Sequence, residues 1–360
     1  MEVQPRELLG LSSLELCEYL VSIGERSFHG KQIYHSIYRR HRFRFDQITE
    51  LSLPLRQKLQ GLARITLPEP RISQLSVDGT RKYLFRLSDG EEIESVFIPE
   101  EHRNTLCVST QVGCPMDCKF CLTALLGFAR NLSAGEIVGQ IVYILSDPQV
   151  SEDPQSSNRP TKPTNIVLMG MGEPLLNLEN VNKALALMVD PKGVAVPAHR
   201  ITLSTVGLVS KIEDLAKAAV VPNLAISLSA TTDEVRNRLM PINRKYPLAE
   251  LIGACSRFPL GPRQRITFEY VLIDAINDSD QDARRLVKLL AGLRAKVNLL
   301  PLNTGQENGM RPSTPERVRR FQEILVSKGL PAYIRRPRGA DIFAACGQLH
   351  RAQNQTASVH

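Results

Sequence analysis

Gly113-Cys114-Pro115-Met116-Asp117-Cys118-Lys119-Phe120-Cys121 decides the fold, because its three cysteines, spaced C-x3-C-x2-C, follow directly on the apolar run TLCVST at 105–110. Thiolates on a loop containing Gly113 and Pro115 can converge on one soft metal centre. A structural zinc ion closes a tetrahedron with four ligands, commonly in paired C-x2-C or His motifs, and the chain has no second C-x2-C. A [4Fe–4S] cube normally takes four cysteines, so three leave one iron open to a small molecule. An open iron is catalytic in character. The competing readings are zinc and buried structural thiols.

Downstream of TLCVST, short apolar runs recur at 165–170, 200–205, 224–229, 267–273 and 296–302, separated by amphipathic stretches of helix length. Alternation of this kind implies an α/β fold with a parallel sheet covered by helices, and right-handed crossovers let six such units curl into a partial (β/α)6 barrel. Active sites on such sheets lie at the carboxyl ends of the strands. The first helix has a clear start: Ser133 stands three residues before Glu136 and opens the run Ile137, Val138, Ile141, Val142. The chain between Cys121 and Ser133 is therefore expected as a loop. Residues 147–163 carry four prolines and no apolar pattern, which reads as an exposed connector, and the tail after His350 is expected to be disordered.

Ahead of the barrel, Leu14, Leu16, Tyr19, Leu20 and Ile23 form one apolar stripe and Ile33, Tyr34 and Ile37 another, which predicts a small helical domain over 1–60. The alternating runs between 61 and 100, punctuated by Asp78-Gly79 and Asp89-Gly90, predict a β-rich linker region of antiparallel strands. The barrel core is expected over 101–345, with 346–360 as a short terminal segment.

Composition narrows the function. With 42% apolar and 23% charged residues the chain has ample material for a core, and no stretch approaches a membrane span. Seven cysteines, three within eight positions, suit a reducing compartment better than a disulfide framework, so a cytoplasmic protein is expected. The net charge of +8 favours polyanionic partners such as nucleic acid.

Polar groups at strand ends complete the candidate site. Glu173 follows Met169-Gly170-Met171-Gly172, where glycines permit close backbone approach and a carboxylate can accept hydrogen bonds from an ammonium group. Ser204, the stretch Ser227-Leu228-Ser229, and Asn303 end three later strands. Read alone, these are strand-end caps or turns. Likewise Cys107 alone is ordinary core, and Cys346 in AACGQL an incidental thiol. Cys17 and Cys255 match no motif and are assigned to packing.

The cysteine spacing, its place after a first β/α strand, and Phe120 between the last two cysteines resemble the radical S-adenosylmethionine (SAM) enzymes. More specifically, Cys107 to Gln111, Gly127 to Leu132, Met169 to Pro174, Pro241-Ile242-Asn243, and Arg338-Gly339 through Ala345 to Leu349 resemble the RlmN family. That family methylates adenine C2 in ribosomal and transfer RNA, and the likeness runs over residues 1 to about 350. It implies a [4Fe–4S] cluster on Cys114, Cys118 and Cys121, and SAM held by Gly172, Glu173, Ser204, Ser227, Leu228, Ser229 and Asn303. Two positions depart from the family pattern: Ser229 stands where histidine is frequent, and Thr304 where proline is usual.

The resemblance also implies the chemistry. Adenine C2 is a poor nucleophile, so a radical route is required. Cys346 takes a methyl group from one SAM. A 5′-deoxyadenosyl radical from a second SAM removes a hydrogen from that methyl, and the carbon radical adds to C2. Glu94 matches the family's candidate base for the C2 proton, and Cys107 attacks the Cys346 sulfur, releasing methylated RNA and leaving a disulfide. Implied partners are 23S rRNA, tRNA, a flavodoxin-like reducing system for the cluster and a thiol reductant for the disulfide, with no membrane and a monomeric enzyme.

Three basic runs suit RNA: Arg39, Arg40, Arg42 and Arg44 around Tyr38, Phe43 and Phe45; Arg236, Arg238, Arg244 and Lys245; and Arg335, Arg336 and Arg338 before Cys346. Two alternatives share these features, a related radical SAM enzyme methylating adenine C8 and a non-catalytic, metal-containing RNA-binding protein.

Overall fold

The computed structural model of the chain describes residues 5–151, 164–303 and 309–349. Thr304, the expected tail after His350 and all but the start of the expected 147–163 connector lie outside the described residues. The connector's first residues, Pro148–Ser151, form a helical turn.

One ten-stranded sheet organises the molecule. Its strands are β1 (Glu69–Leu75), β2 (Arg81–Arg86), β3 (Glu92–Pro99), β4 (Asn104–Cys107), β5 (Thr164–Leu168), β6 (Ile201–Thr205), β7 (Asn223–Ser227), β8 (Ile266–Leu272), β9 (Ala295–Pro301) and β10 (Ala332–Ile334). Their spatial order is their chain order. From β4 onward every neighbouring pair is parallel, whereas β1 to β4 are antiparallel. The edge strands β1 and β10 do not pair with each other, so the barrel stays open.

Two features differ from the expected layout. A further parallel strand, β10, follows the six that the apolar runs announce; at three residues, with Tyr333 half exposed, it carries no readable period. Residues 61–100 do not form a separate linker sheet. Their strands continue the barrel sheet through Val96 opposite Cys107 and Phe97 opposite Leu106.

The pleat of this extension has functional consequences, because directly paired residues share a face. Tyr83 and Phe85 point outward and pack edge-on against Tyr143 of the helix Ala134–Ser146. Lys82, Leu84, Glu94, Val96 and Cys107 therefore share the inner face. The Ala134–Ser146 helix begins as expected: Ser133 Oγ accepts from Glu136 N at 3.2 Å, and Ser133 N donates to Glu136 Oε2 at 2.8 Å. Its residues Ile137, Val138, Ile141 and Val142 are buried.

The amino-terminal helices Ser13–Ser22, Phe28–Tyr38 and Leu53–Leu62 form a small unit around Leu16, Leu20, Ile33, Tyr34 and Ile37. Leu14, expected in the first stripe, is 68% exposed because it lies on the opposite side of its helix from Leu16. The unit sits on the barrel at Gly10 and Gly135, where a side chain on Gly10 would strike the Gly135 backbone and one on Gly135 the Leu9 carbonyl. Tyr34 Oη donates to Asp190 Oδ2 at 2.8 Å across the same junction.

Arg236 is the largest fully buried side chain, which overturns its expected place in an RNA-facing run. Its guanidinium donates to the carbonyls of Val206 (2.7 Å), Ser227 (3.2 Å) and Leu228 (3.2 Å) and to Asn243 Oδ1 (2.9 Å). It thereby ties the carboxyl ends of β6 and β7 together. Burial depresses its pKa to about 10. Arg236→Leu leaves those carbonyls unpaired and is expected to lower the unfolding free energy by about 3 kcal/mol, whereas exposed Arg238→Leu should stay within about 0.5 kcal/mol. Urea unfolding of the two variants measures the difference.

Candidate active site

Beyond β4 the chain turns inward at Ser109, where Gln140 Oε1 accepts from Ser109 N (2.8 Å) and Gln140 Nε2 donates to Ser109 O (3.0 Å). The stretch Cys121 to Ser133 is more than the expected loop. It contains a helical turn, Leu122–Leu126, and the strand Phe128–Asn131, which pairs antiparallel with Gln111–Gly113. Only glycine fits at position 113, where φ is 74° and a Cβ would overlap the Gly127 carbonyl. Cys114 N donates to that carbonyl at 2.8 Å, which seats the first cysteine against the hairpin.

Cys114, Cys118 and Cys121 line one cavity together with Gly172, Glu173, Ser204, Ser227, Asn303 and Cys346. Burial pushes the Cys114 thiol up to about 12 and raises Cys118 and Cys121, each cysteine adding to its neighbour's shift at Cys114 and Cys118. Among the described residues, no three His, Cys, Asp or Glu side chains gather closely enough for a single metal ion. Three thiols spread round one cavity suit a polynuclear cluster, each iron taking one sulfur, better than mononuclear zinc.

Glu173 is buried at the wall of this cavity. Its Oε1 accepts from Leu175 N (3.0 Å) and its Oε2 from Val206 N (2.8 Å), yet burial outweighs these bonds and raises its pKa to about 7. Gly172 supplies the approach, since at φ 103° any side chain would run into Gln111. Ser204 and Ser227 reach the cavity, but Leu228 and Ser229 do not line it. Ser229, at φ 51°, turns its hydroxyl to accept from Val271 N at 3.3 Å, while its carbonyl accepts from Asn277 Nδ2. Both residues shape the strand end.

Cys346 belongs to two cavities at once. The second is lined by Cys107, Glu269, Asn298 and the inward residues of the first halves of the strands, Thr105, Asn165, Thr202 and Thr267 among them. Cys346 is an exposed residue, but the protein packed around its thiol pushes it up to about 11, aided by the Glu269 carboxyl and opposed by Arg335. Cys107 is buried and raised further. All seven cysteines are unbridged, so the expected Cys107–Cys346 disulfide is not formed in this structure.

The loop carrying Cys346 is pinned from several sides. Asn303 Nδ2 donates to Cys346 O (2.9 Å), Leu122 N to Gly347 O (2.8 Å) and Thr123 Oγ1 to Leu349 O (2.7 Å). From the antiparallel edge, Lys82 Nζ donates to Phe343 O at 3.4 Å. The same ammonium lies 3.2 Å from Glu94 Oε1, both side chains being almost wholly buried. Glu94 thus shares the inner face with Cys107 but lines neither cavity.

The basic runs divide. Arg335, Arg336 and Arg338 line the second cavity, joined by Arg103, Arg200 and Lys296, which no run in the sequence announces. In the amino-terminal unit, Arg40 and Arg42 pair with Glu50, Arg44 pairs with Asp46, and Tyr38 and Phe45 are core residues. Lys82, Glu269 and Asn298 also escaped sequence reading; their one available signal was a polar side chain at an inward position of an otherwise apolar strand.

Two family models match the chain: the ribosomal RNA large subunit methyltransferase N-terminal domain over residues 6–65 and the radical SAM superfamily over residues 108–289. A dual-specificity RNA methyltransferase RlmN of Syntrophotalea carbinolica is 51% identical over 336 residues, 93% of this chain and 87% of the relative. One from Geobacter sulfurreducens is 47% identical, covering 95% of this chain and 91% of its own. A crystal structure of a radical SAM methyltransferase from Sphaerobacter thermophilus matches with a TM-score of 0.89 at 42% identity, covering 96% of this chain and 99% of that one. The fold, the cysteine loop and these likenesses agree that the chain belongs to the RlmN family of radical SAM methyltransferases.

Proposed function

We propose that this enzyme methylates C2 of adenine in 23S rRNA and tRNA through a methyl group carried on Cys346. One observation supports this above the rest: Cys346 stands at the junction of two cavities, one ringed by the three cysteines and one walled by cations. In this reading residues 1–60 are an accessory domain, 61–100 a β-rich buttress, 101–345 the radical SAM core and 346–360 the segment carrying the nucleophile. The enzyme acts as a cytoplasmic monomer. Among the described residues no helix is long and apolar enough to cross a membrane.

Cys114, Cys118 and Cys121 would hold the [4Fe–4S] cluster, and Gly172, Glu173, Ser204, Ser227 and Asn303 would hold SAM. Bound together, cluster and SAM supply a one-electron reductive cleavage that lets a hydrogen be taken from a methyl group; a flavodoxin-like donor provides the electron. Glu173, poised near neutrality, becomes a full carboxylate when a substrate ammonium enters beside it. Cys346 gives up its proton to solvent and attacks the methyl of SAM, forming a thioether while S-adenosylhomocysteine leaves with the sulfonium's electron pair. Once the base is bonded to that carbon, the adduct radical would return one electron to the cluster, and Glu94 takes the C2 proton. Lys82 holds the Glu94 carboxylate in place. The Cys107 thiolate then bonds to the Cys346 sulfur, the sulfur–carbon bond breaks, and its electron pair leaves with the base, whose CH2 carbon takes up a proton to become the methyl group. An external dithiol returns both cysteines to the reduced state.

Each assignment has its own variant. Cys118→Ala purified without oxygen should lack cluster iron and the brown absorbance of the wild type; a full complement of iron would remove Cys118 from the ligand set. Cys107→Ala should keep iron and accumulate RNA covalently attached to Cys346, detectable by denaturing electrophoresis and peptide mass spectrometry, whereas normal turnover would reassign the resolving thiol. With Glu94→Gln the adduct should still form but be released at least tenfold more slowly, general bases contributing roughly 100- to 10,000-fold. Equal losses in adduct formation and release would make Glu94 a structural partner of Lys82 instead.

A further inference from the structure

The charged residues lining the second cavity are cations with one exception. Arg103, Arg200, Lys296, Arg335, Arg336 and Arg338 line it, and among its lining residues Glu269 alone is acidic. A carboxylate there repels phosphate and weakens a polyanion's hold on the funnel. It is also costly to bury: enclosure raises its pKa, while Asn298, Arg335 and Lys296 pull it down.

Glu269 is not explained as half of an ion pair. Its one side-chain hydrogen bond among the described residues comes from Asn298 Nδ2 to Oε1 at 2.9 Å, and it takes part in none of their salt bridges. Its Oε2 has no hydrogen-bond partner there. Ser227, Glu269 and Asn298 are consecutive cross-strand partners on β7, β8 and β9, so their side chains form one inward row. Glu269 lines both cavities, as does Cys346, and the electrostatic influence of its carboxyl reaches that sulfur. A rigid acceptor, fixed by a neighbour and aimed into the space beside the nucleophile, is suited to reading a hydrogen-bond donor.

We propose that the second cavity seats the target base and that Glu269, oriented by Asn298, accepts a hydrogen bond from the exocyclic amine of adenine. The proposal deepens the RNA methyltransferase reading and rests on it. Adenine presents an amino donor at this position, whereas guanine and hypoxanthine present an oxygen whose lone pairs the carboxylate repels. The cations of the funnel then take the flanking phosphates without regard to sequence, and Glu269 supplies the choice of base.

The test crosses a change in the protein with a change in the RNA. Reconstituted holoenzyme is assayed for kcat/KM on a hairpin with one unpaired target adenosine and on the same hairpin carrying purine riboside, which has hydrogen in place of the amine. Loss of one hydrogen bond to a charged group should cost the wild type roughly tenfold to a hundredfold on the purine RNA. Glu269→Ala should show that loss on adenosine RNA and little additional loss on purine RNA, and Glu269→Gln, which keeps an acceptor oxygen, should fall between. Losses that multiply, or a Glu269→Ala enzyme as active as the wild type on adenosine, would overturn the proposal. Iron content and thermal unfolding identify a variant that has merely lost its fold; if Glu269→Ala has, the decision passes to Glu269→Gln, whose sensitivity to the amine must be smaller than the wild type's. A wild-type enzyme that methylates Cys346 but neither RNA would defeat the underlying RNA methyltransferase reading.

Discussion

Cys346 lines two cavities at once, and the structure holds it there by fixing its loop from several sides. Hydrogen bonds from Asn303, Leu122 and Thr123 hold the loop to the cysteine-rich side, and Lys82 holds it to the antiparallel edge. Without the three antiparallel strands there would be no Lys82 beneath Phe343 and no Glu94 beside it. The extension of the sheet thus helps to hold the loop that carries Cys346.

Two kinds of buried cation serve this arrangement differently. Arg236 is wholly consumed by backbone carbonyls and shapes the strand ends around the first cavity. Lys82 is paired with a carboxylate and a loop carbonyl, so its charge remains coupled to the reacting loop. Of the guanidinium groups lining the second cavity, Arg103 pairs with Glu100 and Arg338 with Asp78, whereas Arg200, Arg335 and Arg336 take part in no salt bridge among the described residues. Sequence runs cannot separate these classes, because Arg236 and Arg238 are two residues apart and differ completely in burial.

Much of the barrel was legible because its physics is local. Period-two and helical patterns need only a few residues, and the Ser133–Glu136 capping box is contained in four. The cysteine spacing was equally readable, as was the strand-end placement of Glu173, Ser204 and Ser227, which the cavity brings together. What was not legible depends on pairs distant in sequence: Lys82 with Phe343, 261 residues apart, or Glu269 with Asn298, 29 apart. Leu228 and Ser229 lie outside the first cavity's lining for a related reason. Motif matching treats three consecutive residues as one unit, but the positive φ at Ser229 turns its hydroxyl toward Val271 and away from the cavity.

Because the strands lie side by side in the order in which they are joined, each one, as it leaves the ribosome, meets an edge that its predecessor has already formed. The segment bearing Cys346 follows the last of the ten strands in the chain. Its thiol is therefore synthesised after every strand that walls its two cavities.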